Sequence, residues 1–187
     1  MGRPGEELTS PQAAIETDRL VLEPVTPAHA DGIFDAVVAS RKELLPWMPW
    51  AIEPTIEGTR EQTEQSRNDW LSRTHFHFAM IERETGMVLG VAGFNAEPAD
   101  SAGALELHYW IRTDHARRGL TTEACLALVD WARKTLHVRG LALWAGRDNA
   151  ASRRVAEKLG FVHLGPLDWK PEGGHGTFDA ESYSLTL

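Results

Sequence analysis

The sequence has little cysteine and no long apolar run, and both absences narrow the kinds of protein it can encode. Cys125 is the single cysteine among 187 residues, so no internal disulfide can form, and a reducing cytoplasm is the predicted location. No apolar stretch approaches the ~18 residues that a membrane helix needs. The first residues also lack the apolar segment of a secretory signal. No membrane partner is therefore expected.

Positive charge is scarce outside one segment. The net charge is −8, yet the stretch from Arg112 to Lys158 has ten Lys and Arg against five Asp and Glu. A basic segment in an acidic protein predicts a local anionic ligand, while the acidic remainder favours cationic partners such as amines. Nucleic acid is not an expected partner, because its binding depends on neutralising phosphates. The alternative is that these charges serve solubility alone.

Several common binding signatures are missing. The chain has neither G-x-x-x-x-G-K-[ST] nor G-x-G-x-x-G after its first predicted strand, so a P-loop enzyme and a dinucleotide enzyme are both disfavoured. His75 and His77 would share one face of a strand, but the spacing offers no third ligand. No metal site is therefore predicted.

The hydrophobic pattern predicts a single α/β domain. Residues 1–15 are rich in Gly, Pro and Glu and are predicted to form a flexible tail, whereas residues 16–187 form the domain. Alternation between residues 75 and 111 predicts an antiparallel meander, after which helices and strands alternate. Thr59, with Gln62 three residues later, predicts a capping box that starts a helix. The expected architecture is a mixed sheet of about seven strands flanked by about four helices.

The most informative stretch runs from His115 to Ala124, between a predicted strand and a long helix. A helix start offers unpaired backbone N–H groups and about half a positive charge. Gly119 lets the backbone approach a ligand closely, and two arginines and two threonines flank it. This combination predicts a pyrophosphate-binding site. The alternative is a chance Arg-Arg-Gly in front of an ordinary helix.

Three segments resemble the GNAT N-acetyltransferase superfamily. They are Leu105-Glu106-Leu107-His108-Tyr109-Trp110-Ile111, the stretch from His115 to Ala124, and Asp148 to Phe161 with its Asn-x-x-Ser-x-x-x-x-x-Lys-x-Gly-Phe pattern. The opening Thr17 to Leu22 and the segment Leu45-Pro46-Trp47-Met48-Pro49-Trp50 look like the branch of ribosomal-protein N-terminal acetyltransferases, RimJ and RimL. The resemblance covers roughly residues 16–187.

The resemblance implies a twisted sheet whose fourth and fifth strands splay apart to hold acetyl-CoA, the acyl donor. Backbone groups of Tyr109, Trp110 and Ile111 would bind the pantetheine arm. Backbone N–H groups of the following loop would hold the pyrophosphate: Arg117, Arg118, Gly119, Leu120, Thr121 and Thr122. Asn149 and Ser152, on the next helix, would also face the cofactor.

The loop departs from the usual family pattern. Ala116, Arg117 and Thr121 stand where the loop usually begins with Gln or Arg and carries a second Gly or Ala. Backbone donors survive any side chain, so pyrophosphate binding is still expected. Three cations on the next helix would either reach the phosphates or form a solvated face: Arg153, Arg154 and Lys158.

The implied reaction moves an acetyl group from a thioester to a primary amine. An α-amine has a pKa of ~8 and a lysine ~10, so a base must take a proton. Glu106 is the first candidate, because many family members carry a catalytic carboxylate on this strand; a structural role is the alternative. Asp168 is the second, near where RimL-like enzymes place a carboxylate. Ser152 is the candidate acid toward the sulfur, or else a hydrogen-bonding group for the cofactor.

The acceptor is less defined than the donor. The branch implies a ribosomal-protein N-terminus, but the same fold serves small-molecule amines, so both stay open. Trp47, Trp50 and Trp169 are expected to line a substrate pocket or to pack in the core. Two alternative functions would keep the phosphate site: a CoA-binding sensor or degenerate relative without turnover, and a succinyl- or other acyl-CoA transferase. A homodimer is implied by the branch alone.

Overall fold

The chain forms one mixed sheet with helices packed on it. The computed structural model describes residues 14–95, 104–136, 138–167 and 179–187. The strands are β1 (Ile15–Glu16), β2 (Leu20–Pro24), β3 (His75–Glu82), β4 (Val88–Asn95), β5 (Leu105–Ile111), β6 (Gly140–Gly146), β7 (Val162–Leu167) and β8 (Ala180–Thr186). The helices are α1 (Ala30–Leu44), α2 (Ile56–Ser72), α3 (Leu120–Thr135) and α4 (Ala150–Lys158). The sheet order is β1-β2-β3-β4-β5-β6-β8-β7.

This architecture confirms the predicted α/β class. The sheet has eight strands rather than about seven, because the two-residue β1 pairs antiparallel with β2. Ile15, the last residue of the predicted tail, belongs to β1. Residues 1–13 of that tail lie outside the described residues. None of the helices that the structure describes is both long and apolar enough to cross a membrane.

Side-chain alternation along the strands divides the apolar residues between two cores. Phe76 and Phe78 on β3 belong to the larger core, where Trp131 of α3 packs with its ring centroid 5.2 Å from that of Phe78. Ala79, on the other face of β3, belongs to a second core with Val37 of α1. Each fully buried large apolar side chain contributes about 1.5–3 kcal/mol. The central strands are therefore held from both faces.

The start of α2 differs from the prediction. Thr55 is its N-cap, and the Thr55 hydroxyl accepts a hydrogen bond from the Gly58 N–H at 3.0 Å. Thr59 lies inside the helix, where its hydroxyl donates to the Thr55 carbonyl oxygen at 2.9 Å. The capping box predicted at Thr59 was wrong, because a threonine four residues earlier offers the same cap.

The sheet opens in its centre. Among the described residues, β5 and β6 pair in parallel at two positions, Leu105 with Leu141 and Glu106 with Ala142. Beyond them the strands diverge, while β5 stays paired with β4 and β6 with β8. A V-shaped gap therefore separates two halves of one sheet. This is the splay that the resemblance predicted, shifted by one strand number because β1 is counted.

Candidate active site

A cavity of about 870 Å³ occupies the gap between β5 and β6. This is near the upper end of ordinary ligand pockets, which run from about 300 to 1,000 Å³. Eleven of the predicted site residues line it: Glu106, Tyr109, Trp110, Ile111, Arg117, Gly119, Leu120, Thr121, Thr122, Asn149 and Ser152. Arg118 is not part of this lining, and Asp168 and Trp169 lie outside the described residues. Predicted residues as far apart in the chain as Glu106 and Ser152 thus converge on one gap.

The loop before α3 has an unusual backbone. Arg117 and Gly119 both have positive φ angles, 64° and 82°. Alternating left-handed residues turn successive backbone N–H groups toward one concave side, which suits an anion. A non-glycine residue in this conformation costs about 1–2 kcal/mol, which is typical of a functional loop. Together with the backbone N–H groups at the start of α3, this backbone has the shape of a phosphate cradle, the prediction made for it from the sequence.

Residues between β1 and β2 hold this loop in place. The Arg19 guanidinium donates from Nη1 to the Arg118 carbonyl oxygen at 2.9 Å and from Nε to Glu123 Oε2 at 2.7 Å. The Thr17 hydroxyl donates to Glu123 Oε1 at 2.6 Å. Burial opposes ionisation of Glu123, but these hydrogen bonds outweigh it and lower its pKa. The Thr17 to Leu22 motif therefore has a physical role, which sequence reasoning did not identify.

Two hydroxyl groups meet on one wall of the cavity. The Tyr109 hydroxyl donates to the Ser152 carbonyl oxygen at 3.2 Å and lies 3.0 Å from Ser152 Oγ. Either hydroxyl can donate to the other, because each carries one proton and two lone pairs. Burial raises the pKa of Tyr109 far above its ordinary value, so the phenol keeps its proton. The Asn149 side chain fixes Ser152 by accepting from its backbone N–H at 3.1 Å.

The carboxylate of Glu106 lies at the vertex of the gap, where β5 and β6 are still paired. Its Oε2 accepts a hydrogen bond from Asn95 Nδ2 at 2.7 Å. Burial raises the pKa of Glu106, opposed by the Asn95 hydrogen bond and by His75. A carboxylate with a raised pKa is a stronger base than one in water, which is what removal of a proton near neutral pH requires.

Some predicted neighbours take other positions. Arg154 and Lys158 line the cavity, but Arg153 donates from Nε to the Tyr183 hydroxyl at 3.0 Å. Trp47 lines the cavity, whereas Trp50 packs edge-on against Trp110 with centroids 5.9 Å apart. Within the described ranges, no group of three or more His, Cys, Asp or Glu is arranged to hold a metal ion.

Comparison with known proteins gives matches along most of the chain. A family model described as an acetyltransferase (GNAT) domain matches residues 19–162. The uncharacterized N-acetyltransferase YoaA of Bacillus subtilis (strain 168) is 25% identical over 171 residues, covering 91% of this chain and 95% of YoaA. The ribosomal protein uS5-alanine N-acetyltransferase of Escherichia coli (strain K12) is 25% identical over 166 residues, covering 83% of this chain and 81% of that protein.

A solved structure shows the same fold. It is the microcin C7 self-immunity acetyltransferase MccE in complex with acetyl-CoA and AMP. The TM-score is 0.82 at 18% identity, over 91% of this chain and 94% of MccE.

Proposed function

The chain belongs to the acetyltransferase (GNAT) family, and from that premise we propose that it acetylates the α-amine of a protein N-terminus. Family membership makes it an acetyl-CoA-dependent N-acetyltransferase. One observation supports acetyl transfer in this cavity. A phosphate cradle, a splayed strand pair, a carboxylate of raised pKa and a hydroxyl pair all line one cavity.

The residues present fit acetyl-CoA. The cradle between Arg117 and Thr122 has the N–H groups for the pyrophosphate, and Arg154 and Lys158 add positive charge. The edge of β5 that faces the gap has lost its partner strand beyond Glu106, which leaves backbone groups for the amides of the pantetheine arm. Acetyl-CoA supplies the thioester carbon that the acceptor attacks.

Two protein groups act on protons in the proposed reaction. The acceptor nitrogen forms a bond to the thioester carbon, and the carbon–sulfur bond breaks to release the CoA thiolate. Glu106 takes the proton that the amine loses. Ser152 donates a hydrogen bond or a proton toward the sulfur, while Tyr109 holds the serine hydroxyl in place. Glu106 and Ser152 reach the cavity from different walls, one on β5 and one on α4.

The acceptor is argued from charge and from the relatives. Glu43 and Glu106 also line the cavity, and their negative charge is opposite to the positive charge of the cradle. The chain outside the basic segment is strongly acidic as well. Both features favour a cationic amine. One E. coli relative is named for an alanine of ribosomal protein uS5, and another for a ribosomal-protein serine. We therefore favour an N-terminus that begins with a small residue. The homodimer and the cytoplasmic location stay predictions.

A thiol-release assay tests this proposal. Purified protein is supplied with acetyl-CoA and with peptides that begin with Ala, Ser, Leu or Asp, beside polyamines and free lysine. Release of CoA with Ala- or Ser-initiated peptides, and mass spectrometry that finds the acetyl group on the α-amine, would support it. Turnover on small amines but not on peptides would show that the acceptor is a small amine and not a protein N-terminus. Calorimetric binding of acetyl-CoA without any turnover would favour a CoA sensor.

A further inference from the structure

A chain of hydrogen bonds leads from α2 across three strands to Glu106. Ser66 Oγ on α2 lies 3.1 Å from His77 Nδ1 on β3. The His77 side chain also hydrogen-bonds with Asn95 on β4. Asn95 Nδ2 donates to Glu106 Oε2 on β5 at 2.7 Å. The strand register explains this meeting, because Asn95 lies directly opposite Glu106 and His77 lies opposite Gly93, which has no side chain to intervene.

The direction of every bond in this chain is fixed by chemistry. An ionised carboxylate can only accept, so Asn95 turns its NH₂ group to Glu106 and leaves its carbonyl oxygen for His77. His77 must then donate from Nε2, and its Nδ1 accepts from the Ser66 hydroxyl. Burial lowers the pKa of His77 and outweighs the opposing effect of the Asn95 hydrogen bond. The ring therefore stays in this neutral form. All three donors therefore point toward the carboxylate, and such chains strengthen cooperatively.

We propose that Asn95 and His77 are positioning residues that aim the Glu106 carboxylate into the cavity and stabilise its ionised form. This inference rests on the proposed function, in which Glu106 is the base. An amide group does not relay protons near neutral pH. Asn95 therefore holds the carboxylate in place but does not pass its proton on to His77. The proton taken from the acceptor leaves through the cavity.

Three titratable side chains surround this chain of hydrogen bonds: His108, His75 and Asp69. The ring of His108 on β5 packs edge-on against His77, with centroids 4.8 Å apart, and its Nε2 has no hydrogen-bond partner among the described residues. Burial lowers the pKa of His108 well below its ordinary value, so it stays neutral. His75 on β3 has its centroid 5.7 Å from that of His77, and its Nδ1 lies 3.6 Å from Asp69 of α2. His75 and Asp69 act on the pKa of His77, and His75 also acts on the pKa of Glu106.

The pH profile of acetyl transfer tests the positioning role. Asn95→Ala removes the donor to Glu106, and His77→Phe removes the donor to Asn95 while keeping a ring. A lost hydrogen bond to the ionised form raises the pKa of an acid, so the acid limb of kcat/KM should move up by about one pH unit. At pH below that limb the rate falls by up to about tenfold, with KM for acetyl-CoA unchanged. His77→Gln, which can still donate from a nitrogen near the Nε2 position, should restore most of the wild-type profile.

Two controls separate positioning from folding. His29→Phe removes a half-buried histidine that hydrogen-bonds with Thr26 and Glu23 beside α1, away from the cavity, and it should leave the pH profile unchanged. In a Glu106→Gln background, Asn95→Ala should cause little further loss, because its effect acts through the carboxylate. If Asn95→Ala does not fold, the His77 pair of variants provides the same test.

Two outcomes would overturn the inference while leaving the proposed function intact. One is lower activity with an unmoved acid limb, and the other is a His77→Gln variant no better than His77→Phe. A readout without turnover keeps the two claims apart: a ¹³C NMR titration of the Glu106 carboxyl in wild type and Asn95→Ala. If no amine is acetylated, the proposed function fails, but an upward shift of the Glu106 titration would still support the hydrogen-bonded chain. An unshifted titration would refute it.

Discussion

Replacing Glu106 with Gln is the most informative single perturbation of the proposed active site. Glutamine has nearly the same shape and keeps an oxygen that can accept the 2.7 Å hydrogen bond from Asn95, but it cannot take a proton. A positioned general base contributes about 10²- to 10⁴-fold, which corresponds to about 3–5 kcal/mol of activation free energy. We expect kcat at neutral pH to fall by about that factor. KM for acetyl-CoA should change little, because the cradle is formed by other residues.

The pH dependence of the loss gives the sharper test. An α-amine with a pKa of ~8 is about one-tenth neutral at pH 7, so the variant must use that fraction unaided. Its rate should therefore rise by up to about tenfold between pH 7 and pH 9, and the gap to wild type should narrow. Values of kcat and KM are measured by thiol release across this range. A kcat within about twofold of wild type at every pH would refute Glu106 as the base and favour Asp168.

Thermal unfolding of the same variant provides an internal control. Burial raises the pKa of Glu106, so the folded state holds this proton more tightly than the unfolded state does. Ionisation of Glu106 therefore destabilises the fold as the pH rises from the unfolded pKa through the folded one. Glu106→Gln should melt at the same or a higher temperature at pH 7. A large drop in Tm would mean that a kinetic loss reflects misfolding.

Three further variants test the cofactor site. Asn149→Ala removes the cap on the Ser152 N–H, so we expect about 1 kcal/mol less stability, a Tm lower by about 2–4 °C and weaker acetyl-CoA binding by calorimetry. Unchanged affinity would mean that α4 does not face the cofactor. Arg19→Ala releases the clamp on the loop and should weaken acetyl-CoA binding severalfold, whereas Arg60→Ala, which loses an exposed ion pair, should not. Gly119→Ala puts a Cβ at φ 82° with its nearest neighbour 3.6 Å away, so backbone strain of about 1–2 kcal/mol, not crowding, should lower both affinity and Tm.

The phosphate cradle could be predicted from the sequence because it is local. Arg117 to Thr122 are consecutive, and the chemistry of a glycine at a helix start does not depend on distant parts of the chain. The same locality explains an error: Thr55 and Thr59 carry the same capping hydroxyl, and the local pattern does not choose between them. The α/β class also followed from short-range periodicity, whereas the two-residue β1 is too short to leave such a pattern.

The surroundings of the candidate catalytic groups could not be predicted in this way. Glu106 was found as a candidate, but its partner Asn95 comes from a neighbouring strand, and His77 and Ser66 come from two further elements. The Tyr109 hydroxyl meets Ser152, which is 43 positions away in the chain. For Glu106 the sequence did contain a usable signal. His75, His77 and Asn95 are polar residues in two mostly apolar strands. Polar residues in such positions usually have buried hydrogen-bond partners.

The two-residue contact between β5 and β6 makes the sheet a structure with a seam. Backbone amides that border the seam are central in the sheet, yet they should exchange with solvent as quickly as those of an edge strand. An acetyl-CoA molecule lying in the seam replaces the absent strand pairing, so its binding also stabilises the folded sheet. At a donor concentration a hundredfold above Kd, the folded state gains about 2.7 kcal/mol. The lifetime of this protein against proteases would then follow the supply of its own acetyl donor.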